Sequence, residues 1–278
     1  MMVNLIKADL YRISKSIVIC IAFAFIIFMV AMDIYFVEPG SVAIYVSTES
    51  VVENELNEMS REELNALTSK EFREIMLRTE GYALDKDVLA TNINLYYVFI
   101  FVAAVIITVD FSGSCVKNTL SAAISRRKYF FSKVATVFAC CLVILFLNTY
   151  LIYFGNIIFN NKNLASDIGT VTKITLLQIP PILALASILT GFAFLSRKTA
   201  VFNAVTIPFF MIISLLLNLT AFMKLPEEIY DFELQRMISK LAFEPSTEYV
   251  LESFAVCAVI IVLFNFIGWM SFKKAEIK

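Results

Sequence analysis

The chain has 278 residues, of which 59% are apolar and only 17% charged, and its mean hydropathy is +0.79. Soluble domains run at about 45–50% apolar and about 25% charged, so most of this chain is expected in lipid. Its net charge of −1 points to no partner, nucleic acid included, and the lack of any histidine excludes His-ligated zinc, Ser-His or Cys-His nucleophiles and His-ligated haem.

Residues 1–15 repeat Val3, Ile6, Leu10 and Ile13 at helical spacing among Lys7, Arg12 and Lys15, which predicts an amphipathic helix in the membrane interface. Ile17 to Phe36 is long enough for a first span, since about 20 residues of helix cover about 30 Å. Its apolar run is too long for a signal peptide and its Ala-x-Ala is mid-run, so it is expected to stay attached. Residues 37–91 then form a polar insert with twelve acids and five bases, and capping-box patterns such as Thr68-x-x-Glu71 predict a small helical outer domain. Asn92 to Val109 is the second predicted span.

A basic segment follows, with Lys117, Arg126, Arg127, Lys128 and Lys133 against Asp110. Short basic loops between apolar runs stay cytoplasmic. Within it Val116, Leu120, Ala123 and Ile124 recur at helical spacing, which predicts a short amphipathic helix facing the cytosol. The third span is predicted over Tyr129 to Phe154 and the fourth over Lys173 to Leu195, where Pro180-Pro181 must bend the helix or start its regular part. Ala200 to Met223 is the fifth and most polar; Asn203, Thr206 and Asn218 are its candidate transport-pathway residues, with interhelical hydrogen bonding the competing role. In residues 224–248 Pro226-Glu227-Glu228 signals a helix start and Leu234, Met237, Ile238 and Leu241 give one apolar face, so an outer amphipathic helix is expected. Tyr249 to Phe272 is the sixth span. The five cysteines are read as small apolar packing, with no exposed disulfide framework.

The segments placed inside carry 13 bases and 3 acids, those placed outside 10 bases and 19 acids. An all-α membrane protein of six spans, with both termini cytoplasmic, satisfies that bias. No glycine pair precedes Lys-Ser or Lys-Thr at phosphate-loop spacing, and paired span aspartates are lacking, so neither ATP binding by that route nor intramembrane hydrolysis is expected.

The text Gly113-Ser114-x-x-Lys117-Asn118-x-Leu120-Ser121-x-x-x-Ser125-Arg126, followed by an aromatic pair and Ser132-Lys133, resembles the first cytoplasmic loop of bacterial ATP-binding-cassette permeases of the type-2 exporter class. Asp110 stands where that class commonly has Glu, Ser114 for Thr and Ala123 for Gly. The resemblance implies that residues 110–128 hold a coupling helix for a separate cytosolic ATPase, with Gly113, Val116, Lys117, Leu120, Ser125 and Arg126 as its coupling residues. It also implies a second permease as partner, a multi-pass location in the bacterial cell membrane, no cofactor in this chain, ATP-Mg on the partner, and export of a peptide-like or amphiphilic cargo. A stand-alone immunity or sensor protein that binds a toxic peptide without pumping is the alternative.

Overall fold

The computed structural model describes residues 2–36, 89–90, 92–113, 115–121, 124–159, 167–222, 231–243 and 245–275, and these form helices and short connections without a strand. The expected outer domain, and the acid-rich stretch from Pro226, lie outside the described residues. Helix α1 is Met2–Ser14 and α2 is Ile17–Phe36; the axes of their described parts meet at 66°. Asn92–Ser112 is α3, and α4 is the seven-residue helix Cys115–Ser121. Four more follow: α5 Arg126–Phe159, α6 Ile168–Ser196, α7 Thr199–Phe222 and α8 Leu234–Lys240, before the last, α9 Thr247–Lys273.

Among the described residues, α3, α5, α6 and α9 are each long and apolar enough to cross a membrane. The bent α1–α2 pair would make a fifth crossing, and Thr199–Ile213 of α7 is a shorter apolar stretch.

Helix α3 lies at the centre, with Val98, Phe99, Ile106 and Ile107 all buried. It opens with a 3-10 turn at Asn92–Asn94 and widens to π-helical backbone over Ala104–Thr108, where its carbonyls are less committed to the helix ladder. It then runs on through Ser112, so Asp110 belongs to its last turn and not to the loop. On α2 the spacing of Ile19, Ala22, Ile26 and Val30 selects one buried face, while Ile17, Ile21, Ile27 and Phe28 point outward.

The most extensive helix pairing joins α6 to α9. Gly191 and Gly268 meet there, and a Cβ on Gly191 would lie 2.9 Å from the Phe264 carbonyl oxygen. Small residues let two backbones approach this closely. Asp167 caps α6 by accepting from the Gly169 amide, and the helix continues through Pro180 and Pro181, twelve residues in. The prolines therefore do not start its regular part. Ser246 caps α9 by accepting from the Tyr249 amide at 3.2 Å, and Glu233 caps α8 by accepting from the Arg236 amide. That cap begins α8 at Leu234, with Leu234, Met237, Ile238 and Leu241 buried as the apolar stripe predicts.

Candidate functional site

The basic segment comprises the surface helix α4 and the first turns of α5. A bond from the Gly113 amide to the Val109 carbonyl, 2.9 Å, ends α3. Helix α4 then turns Val116 into the core at 1% exposure and packs Leu120, half-buried, against it, while Lys117 and Asn118 stay exposed. Ser125 is exposed and its hydroxyl accepts from the Lys128 amide at 3.4 Å, which caps α5. Arg126 reaches across to the end of α9 and donates to the carbonyls of Phe272, Lys273 and Ala275 at 3.3, 2.7 and 3.0 Å. Carbonyls at a helix C-terminus lack intrahelical donors and carry the negative end of the dipole, so a guanidinium suits them. Arg197, in the left-handed region at φ 55°, adds bonds to the Ser271 carbonyl and hydroxyl at 3.1 and 3.3 Å.

Below the helix lies a charged knot among Asp9, Arg12, Asp110, Tyr129 and Lys133. The Lys133 ammonium sits 2.6 Å from Asp9 and 2.5 Å from Asp110, with side chains of all three at most 9% exposed. Arg12 pairs with Asp110 and donates to the Val105 and Ile106 carbonyls, 3.1 and 3.2 Å away, which the π-helical turns present. Tyr129 donates to the other Asp110 oxygen at 2.7 Å. Two acids and two bases balance. Burial pushes the Asp9 carboxyl above the ordinary carboxylate range, against the pull of Lys133. Around the knot, rings of Phe111, Tyr129, Phe130, Phe194, Trp269 and Phe272 join α3, α5, α6 and α9, with Phe130 to Phe194 at 4.7 Å between centroids.

At the other end of α3 the polar groups are neutral amides. Asn148 donates to Asn92 at 2.9 Å, Asn92 to Gln178 at 2.6 Å, and Gln178 to the Leu89 and Ile238 carbonyls at 3.0 Å each. The two knots are about 27 Å apart at 1.5 Å per helical residue, and both pin α3 to α5.

Of the fifth-span residues, Thr206 is buried, with its hydroxyl on the Phe202 carbonyl at 2.8 Å and its own carbonyl accepting from the Tyr96 hydroxyl. Asn203 is half-buried, and its Oδ1 has no hydrogen-bond partner among the described residues. The Asn218 side chain lies outside the described residues. So α7 meets α3 through Thr206 and the inner turns, while Val201, Val205, Met211 and Ile212 face outward.

Sequence reasoning missed both knots. Asp9 and Arg12, three residues apart on α1, were readable as one polar face. Their partners, 98 and 124 residues away in the chain, were not.

No curated protein matches the chain. A family model does, the one described as "Multidrug efflux system permease Rv1217c, C-terminal domain", over residues 22–273. That match begins within α2 and ends on the last residue of α9, and the chain accordingly belongs to this family of transporter permeases.

Proposed function

We propose that this chain is the membrane subunit of an ATP-binding-cassette exporter, built on six spans with both termini cytoplasmic. In this reading α2 and α7 are the two spans added to α3, α5, α6 and α9. ATP-Mg binds and is hydrolysed on a separate cytosolic ATPase, and this chain has no catalytic residue of its own. Two copies, or this chain and a sister permease, enclose the route. The cargo is an amphiphilic molecule, drug-like or peptide-like, moved outward; Asn203, whose buried amide oxygen has no hydrogen-bond partner among the described residues, is the route residue we favour.

The observation that carries the reading is the rooting of α4. A surface helix carrying one exposed base, Lys117, joins two long helices, and its roots are tied by the ion knot and the aromatic cluster. A push on α4 would therefore reach α3 and α5 as a unit. Lys117 and Asn118 are the accessible contacts, Leu120 borders them, and Val116 and Arg126 hold the helix in place.

Co-purification in mild detergent tests this. A cytosolic ATPase should be retained by the native chain and released by Leu120→Asp, since losing an apolar anchor at an interface costs about 2 kcal/mol, roughly thirtyfold in affinity. Lys117→Ala should weaken retention mildly, and more so at high salt. A Leu120→Asp chain that folds and keeps full ATPase association would remove the coupling assignment.

A further inference from the structure

The outward side of α5, next to its N-terminus, carries a groove that the coupling reading leaves unused. It is a shallow, open depression of about 680 Å3 along one helix, lined by Arg127, Lys128, Phe131, Ala135 and Phe138, with Ser125 at its edge. The two cations sit at one end and the aromatic rings run away from them down the helix, at spacings of four and seven residues. Arg127 and Lys128 are exposed, and among the described residues neither meets a carboxylate. Arg127 lies over the Phe131 ring, 5.8 Å from its centroid, so its guanidinium is held at the groove mouth. Phe131 is itself 46% exposed.

We propose that this groove binds one anionic phospholipid, its phosphate against Arg127 and Lys128 and an acyl chain along Phe131, Ala135 and Phe138. This rests on the membrane reading above, in which the start of α5 lies at the headgroup level of the cytoplasmic leaflet. Charge complementarity selects the occupant. Anionic lipids are attracted to paired bases at that depth, at about 1 kcal/mol per Lys or Arg, and the apolar floor below the bases suits only the chain of a lipid. A second copy of this chain fits less well. Two copies in one membrane related by a twofold axis would bring like depths together, so four cations would face one another with no carboxylate among the residues lining the depression.

The test uses the full-length purified chain with native mass spectrometry and thermal unfolding, adding phosphatidylglycerol, phosphatidylcholine or glycerol phosphate. Phosphatidylglycerol should bind and raise the midpoint; phosphatidylcholine and glycerol phosphate should do neither. Removing both charges in Arg127→Gln/Lys128→Gln should weaken phosphatidylglycerol roughly thirtyfold, the equivalent of about 2 kcal/mol. Phe131→Ser should weaken it while leaving the preference over phosphatidylcholine. Equal binding of the two lipids, unchanged binding in the double variant, or glycerol phosphate competing as well as the lipid would overturn the proposal. So would a shift from dimer to monomer in the double variant with no change in lipid. Resistance of the membrane-bound chain to alkaline extraction is measured alongside. Extraction would sink the membrane reading as well, whereas firm insertion without headgroup preference would overturn the lipid site alone.

Discussion

The Lys133 ammonium has lost almost all its water, and carboxylates at 2.6 and 2.5 Å replace it. Two ions taken from water cost several kcal/mol each, and only close geometry with further hydrogen bonds recovers that. Here Tyr129, Arg12 and the Val105 and Ile106 carbonyls supply those bonds. Removing one partner is then worse than removing two. Lys133→Met would leave two carboxylates to one guanidinium and should cost about 3–5 kcal/mol. Adding Asp9→Leu restores one acid to one base, Asp110 with Arg12, and should recover at least half the loss. Trp269 is the one tryptophan in the chain and lies 5.5 Å from Phe130 in the neighbouring ring cluster, so its fluorescence reports thermal unfolding. A double variant less stable than Lys133→Met would show that the residues act separately.

At the scale of elements, α6 and α9 are held more by shape than by polar bonds. Among the described residues two hydrogen bonds cross the pair, from Asn265 Nδ2 to Ser187 Oγ at 3.0 Å and, near the helix ends, from Ser271 Oγ to the Phe194 carbonyl at 3.3 Å. Such bonds average about 0.6 kcal/mol within membranes. A methyl on Gly191 would instead press on the Phe264 backbone at 2.9 Å, and overpacking costs about 1–3 kcal/mol. Gly191→Ala should therefore lower the unfolding midpoint more than Ser187→Ala; the reverse order would mean the pair relies on the bond from Asn265 to Ser187. The existence of these helices was legible because twenty apolar residues in a row have few alternatives. Their ends were less so: α5 starts three residues before the predicted span, at Arg126, because Ser125 caps it and Arg126 finds acceptors on α9. The apolar face of α8 was legible as a stripe. On α1 Asp9 is buried, a position that its charge did not suggest, while Leu10 of the apolar stripe is 44% exposed. Hydropathy assumes that acids face water, and here the acid faces Lys133. The π-helical turns of α3 had no sequence signal, and the carbonyls they present at Val105 and Ile106 meet Arg12 of α1, 93 and 94 residues earlier in the chain.

For the molecule as a whole, the knot sharpens the topology argument. Two of the three acids in the segments assigned to the cytoplasm, Asp9 and Asp110, are consumed inside the fold by Arg12 and Lys133. Eleven bases and one acid, Glu276, remain in the sequence count for that side. The side assigned to the exterior still holds nineteen acids and ten bases. Lys and Arg near span ends resist translocation while acids contribute little, so pairing two bases away leaves the bias intact. Both knots also lie on α3, the charged one at the basic end and the amide one at the other. The amide end needs no charge because Asn92, Asn148 and Gln178 satisfy one another. Labelling of intact cells with a membrane-impermeant maleimide decides the orientation. The native Cys20 and Cys115 are exposed and must first be replaced, along with the other three cysteines. In that background Glu58→Cys should react from outside, whereas Ser125→Cys should react only after the membrane is opened. The reverse pattern would put α4 and the Arg127–Lys128 groove on the wrong face, and both ATPase docking and the cytoplasmic-leaflet lipid would fall with it.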